Sequence, residues 1–132
     1  MGQSNHEHAR LLARLGGKAV LPRLVQAFYF YVFRDEEVGH FFAGVDSERV
    51  MRHQEALLAL LLADEPPVVT DYLSRAHARL VRDHGLTHRH FDVVCWLLLR
   101  TLRDFELDTL SILEVSTRLE GLRTAVLAGD QS

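Results

Sequence analysis

A single cysteine, Cys95, excludes an internal disulfide and points to a reducing cytoplasm. Long apolar runs are absent too. The longest, Leu57 to Ala63, falls far short of the ~20 residues that span a bilayer. No charged-then-apolar leader opens the chain, because Met1 to Arg14 reads as an amphipathic helix. Charge of one sign is nowhere massed: the net charge is -3 and the arginines are scattered along the helices, so nothing asks for nucleic acid. There is no Gly-rich dinucleotide fingerprint. No run combines period-two alternation with turn signals, and no repeat is visible, so the expected fold is all-α.

What is present is a chain of 132 residues, 48% hydrophobic and 25% charged, the make-up of one soluble domain with a single substantial core. Residues 1–132 form that domain, with 1–10 as an N-terminal extension or the start of the first helix and 128–132 as a tail. Ser4 and Glu7 form a capping-box pattern, and Gly16-Gly17 stops the first helix. The second helix carries Leu21, Leu24, Val25, Phe28, Tyr29, Val32 and Phe33 inward, with Pro22 in its first turn. One helical turn is expected around Phe41-Phe42. Asp46 caps a third helix running to about Ala63, and Asp64-Glu65-Pro66-Pro67 opens a loop over 64–71. Thr87 begins a helix with Phe91, Val94, Cys95, Leu98, Leu102 and Phe105 on one side. Asp108 caps a last helix reaching Val126.

Eight histidines are more than the length predicts. His77 shares the inward face of its helix with Leu73, Leu80 and Val81 and has almost nothing polar beside it. Gly85 closes that helix as a left-handed residue would. An imidazole placed this way is either a core histidine bonded to a carbonyl or a neutral axial ligand to a metal. On the third helix, Val50, His53, Gln54, Leu57 and Leu58 share one broad face, so an amide and an imidazole stand where aliphatic groups are expected. Buried amides need partners. Tyr29 likewise carries a hydroxyl within the stripe of Phe28 and Val32. Packing explains each residue singly. Two donors on separate helices opposite His77 favour a ligand site.

Taken in order, Leu15-Gly16-Gly17, Phe28-Tyr29, His40-Phe41-Phe42-Ala43-Gly44-Val45-Asp46, His53-Gln54, Ala76-His77, His84-Gly85-Leu86 and His90-Phe91-Asp92 resemble a group I truncated haemoglobin of the cyanobacterial type. The resemblance covers about residues 11–127 and implies a two-over-two helical sandwich around haem b. It makes His77 the proximal ligand, Phe42 the phenylalanine packed on the ring, and Tyr29 and Gln54 the distal hydrogen-bond donors. Val50, Leu57, Leu58, Leu73, Phe91 and Val94 are the remaining expected haem contacts, with Arg49, Arg52 and Arg75 offered to the propionates. For His53 two roles stay open, a place on the pocket rim or a sixth ligand to the iron that gases must displace. The sequence departs from the family pattern in places. Ala63-Asp64 replaces a second Gly-Gly, Val50 stands where a distal glutamine is common, and Leu58 aligns with a proposed tunnel gate. Leu122 occupies the position of a histidine that cross-links haem in some relatives, so a non-covalent haem is expected.

The function so implied is reversible binding of dioxygen and nitric oxide by a monomer. One finer form is nitric oxide dioxygenation served by a separate reductase. Another is electron transfer or gas sensing without turnover. A haem-free helical interaction module, whose histidines merely pack, is the remaining alternative.

Overall fold

The helix boundaries follow from a few local signals, seen here in a computed structural model that describes residues 10–63 and 70–128. The Ser4–Glu7 box, His6, His8, the Pro66-Pro67 break and the tail beyond Ala128 lie outside them. Helix α1 (Arg10–Leu15) buries Leu11, Leu12 and Leu15. It ends where Gly16 and Gly17 take φ of 114° and 89°, and the Gly17 N–H donates to the Leu12 carbonyl at 2.7 Å. A 3-10 turn, Lys18–Val20, leads into α2 (Leu21–Arg34), with Pro22 in its first turn. Asp35 then accepts from the backbone of Glu37 and Val38, and a second 3-10 turn, Gly39–Phe42, delivers the Phe41-Phe42 pair.

Asp46 caps α3 (Ser47–Leu61) by accepting from the N–H groups of Glu48 and Arg49. Helix α4 (Thr70–His84) begins inside the segment expected to be loop, and Gly85, at φ 73°, ends it as anticipated. Thr87 opens α5 (His88–Asp104), its N–H donating to His90 Nδ1 at 3.0 Å. Asp108 caps α6 (Thr109–Glu120) through the N–H of Ser111. Among the described residues no helix is long and apolar enough to cross a membrane.

Two further expectations fail. The last helix is not continuous: it stops at Glu120, turns at Gly121-Leu122, and resumes as α7 (Arg123–Leu127). The turn lets Ala125, Val126 and Leu127 leave the line of α6 and pack with Leu73, Val81 and Phe91. Phe33 is 37% exposed rather than inward, its ring resting on those of Tyr29 and Phe42.

The helices divide between two hydrophobic clusters. The larger joins α1, α2, α5 and α6 through Leu11, Leu24, Leu102 and Val115, with Leu58 and Leu62 added from the end of α3. The smaller is the one built around α4 and α7. Helix α4 therefore stands apart from α2 and α3 across the space that the clusters enclose.

Gly39 is fixed by close approach: a Cβ there would lie 2.8 Å from the Phe33 carbonyl oxygen, against rigid backbone. Gly39→Ala is expected to destabilise the protein by about 1–3 kcal/mol in urea denaturation, because the turn carrying Phe41 and Phe42 must shift. An unchanged midpoint would show that this backbone yields freely.

Candidate functional site

Between the two clusters lies a cavity of about 510 Å3, with walls drawn from both. Phe28, Tyr29, Phe41 and Phe42 close one side, Val50, Gln54, Leu57 and Leu58 of α3 another, and Leu73 and His77 of α4 a third. Phe91, Val94, Cys95 and Leu98 of α5 form the floor, completed by Leu119, Leu122 and Val126.

His77 is part-buried, and its Nδ1 lies 2.9 Å from the carbonyl oxygen of Leu73, one turn earlier. A carbonyl only accepts, so in this bond Nδ1 carries the hydrogen. Nε2 of the neutral ring then keeps its lone pair, the tautomer that a metal ligand needs. Helix periodicity produces this unaided, since residues i and i−4 stack on one face.

Across the cavity, Tyr29 is 3% exposed and packed edge-on against Phe28 and Phe42. Its hydroxyl has no hydrogen-bond partner among the described residues, an uncommon condition for a buried phenol. Burial also pushes its ionisation well above the usual tyrosine range, so it stays a neutral O–H donor. The Gln54 amide lines the same space, again with no partner among the described side chains. Tyr29, Gln54 and His77 thus border a largely apolar room.

The structure brings together on this wall Tyr29, Phe42, Val50, Gln54, Leu57, Leu58, Leu73, His77, Phe91 and Val94. It does not bring there Arg49, Arg52, His53 or Arg75, which are all exposed. His53, whose two expected roles are the pocket rim and a sixth ligand, stands exposed and off the wall. His53 and Leu58 sit on opposite shoulders of the α3 stripe, and only the Leu58 shoulder is covered by the core, at 3% exposure. A helical wheel alone cannot say which shoulder a neighbouring helix will cover.

Two further polar residues reach the wall, His90 in the capping or packing role expected of it and Arg118 unforeseen. His90 serves as the acceptor half of a capping arrangement at Thr87, where Glu or Gln is the familiar residue, and its ring packs on Phe41 at 5.0 Å. Arg118 reaches the wall from α6, where a charged side chain on an amphipathic helix reads as solvated. Near the floor, Arg123 lies 4.7 Å over the Phe91 ring and bonds Glu120 and Asp92, tying the start of α5 to the turn between α6 and α7.

No family model matches the chain. It is, however, 36% identical over 106 residues to the group 1 truncated hemoglobin GlbN of Synechocystis sp., covering 80% of this chain and 86% of that protein. The chain belongs to the group 1 truncated haemoglobins. A relative of the same description from Tetrahymena thermophila is 28% identical over 110 residues, covering 83% of this chain and 88% of its own. The 2/2 hemoglobin from Synechococcus sp. PCC 7002, in its cyanomet state and with covalently attached heme, superposes with a TM-score of 0.79 at 31% identity. That match covers 89% of this truncated haemoglobin and 98% of the other chain. THB1 of Chlamydomonas reinhardtii gives 0.74 at 30% identity, covering 88% and 94%. The architecture is therefore the two-over-two globin.

Cys95 offers a check on the cavity. Desolvation pushes its thiol up to about 12, so at pH 8 the reactive thiolate is far scarcer than in a free cysteine. Iodoacetamide is expected to label the folded protein at pH 8 at least about tenfold more slowly than the urea-unfolded chain. Equal rates would mean that the floor of the cavity is open to water.

Proposed function

We propose that this truncated haemoglobin is a haem protein that reversibly binds dioxygen and nitric oxide. One observation carries the reading: His77, its Nδ1 committed to Leu73, stands across a largely apolar room from the hydroxyl of Tyr29, which has no partner among the described residues. The room itself supports a guest. Its lining is mostly aliphatic and aromatic, with a few polar groups, which suits a flat and largely apolar guest.

His77 would hold the iron. Phe42, Val50, Leu57, Leu58, Leu73, Phe91 and Val94 would enclose the ring and exclude water from it. When bound, haem supplies the iron at which a diatomic gas is taken up and released. Tyr29 then donates a hydrogen bond to the polarised guest, with Gln54 as second donor. Haem b would be held non-covalently, because Leu122 stands where some relatives carry a histidine that cross-links the haem. Arg49 and Arg52, exposed at the start of α3, are the proposed partners of the haem carboxylates. The exposed position of His53 favours an open iron site, and six-coordination would require α3 to roll inward. The finer activity proposed is nitric oxide dioxygenation, giving nitrate with electrons from a separate reductase. A monomer in the reducing cytoplasm, its one thiol protonated, suits that role. Electron transfer or gas sensing is the second reading, and it gains if His53 closes the site.

The purified protein is expected to take up one equivalent of hemin and show a Soret band that His77→Leu weakens. A colourless protein indifferent to hemin would leave only a helical interaction module. Tyr29→Phe is expected to speed dioxygen release by roughly 5- to 150-fold, the equivalent of a 1–3 kcal/mol hydrogen bond. An unchanged rate in stopped-flow mixing would remove Tyr29 from the donor role. Mixing the oxygenated protein with nitric oxide, then adding reductant, separates turnover from simple binding.

A further inference from the structure

Helix α3 is the wall that carries Gln54, and its far end needs an anchor. The last carbonyls of a helix have no partners within it, and a glycine in the left-handed region commonly supplies them. Here α3 runs on into Leu62, at φ -90° and ψ -1°, and then Ala63, with no such glycine. An arginine from another helix meets these carbonyls instead. Arg118 Nη1 of α6 donates to the Leu61 carbonyl at 2.6 Å and to the Ala63 carbonyl. Its Nη2 donates to Glu114 at 2.7 Å, and Glu114 also accepts from Arg10 of α1 at 2.7 Å.

Three properties lift this tie above an ordinary surface pair. The Arg118 side chain is only 17% exposed, where screening is weak. A fixed cation at a helix C-terminus meets the negative end of the helix dipole. Arg118 also stands on the cavity wall itself, beside Leu61 of α3 and Leu119 and Leu122. Leu61 follows Gln54 by two turns on the same face, so any slide or roll of the helix end moves the amide with it.

We propose that Arg118 is the positioning residue of the distal wall. Its forked guanidinium holds the end of α3 against α6 and thereby sets where the Gln54 amide meets the bound gas. This rests on the haem reading for its ligand, although the tie between helices stands without haem.

The test uses the full chain loaded with haem and carbon monoxide as the probe, with the C–O stretch reporting the field at the bound gas. Arg118→Met is expected to shift or split that stretch and to change dioxygen release several-fold. In a Gln54→Leu background the same substitution should then do neither, because the group being positioned is gone. A shift of equal size in both backgrounds, or none in either, overturns the proposal. Hydrogen exchange gives a haem-independent measure: amides 58–63 should exchange about tenfold faster in Arg118→Met, and wild-type exchange overturns the tie. Should the Met variant fail to fold, Arg118→Lys keeps the charge but loses the fork, and a smaller effect in the same direction is expected. Wild-type stretch and exchange in Arg118→Lys would also overturn the proposal. A protein with no Soret band overturns the haem reading and leaves the exchange result to decide the tie.

Discussion

The structure depends on keeping two hydrophobic clusters apart. Protein interiors close up to crystal-like density unless something opposes it. Here a cavity of about 510 Å3 persists because α4 is packed on α7 rather than on α2 and α3. Polar ties stand at several helix ends: Asp46 at the start of α3, Arg118 at its end, the Thr87–His90 bond at the start of α5, and Arg123 across the corner after α6. Rigidity is thus placed at helix termini, leaving the apolar middles of the helices to shape the room.

Within that room the chemistry is set by what is already bonded and what is not. The Leu73 carbonyl claims one nitrogen of His77 and so decides which electron pair remains available. Tyr29, sunk among Phe28 and Phe42, has its phenol held neutral by desolvation and meets no protein acceptor among the described residues. A lone pair on one side and a donor on the other are complementary to a guest that is Lewis-acidic at one face and electron-rich at the other. Family membership and the geometry therefore point the same way, although each comes from a different kind of observation.

Much of this was legible in the linear chain. Gly85, Asp46, Asp108 and Thr87 mark helix ends through local geometry, which depends on a few neighbouring residues only. The inward stripe of α4, with Leu73 four residues before His77, already contains the hydrogen bond that sets the tautomer. Less legible were the places where two segments meet. Phe33 stays 37% exposed although its ring touches those of Tyr29 and Phe42, and the final helix broke at Gly121-Leu122 so that α7 could reach α4.

By itself, then, the sequence determined the helix ends marked by Asp46, Gly85, Thr87 and Asp108, most of the apolar faces, and the line of residues that matches a truncated haemoglobin. These are properties of spacing within a single helix, where bonds run four residues or fewer. Only the tertiary structure decided that His53 lies outside the wall while Gln54 lies on it, and that Arg118 and His90 belong to the cavity. Those outcomes turn on which shoulder of a helix a distant neighbour happens to cover, and no local periodicity carries that information.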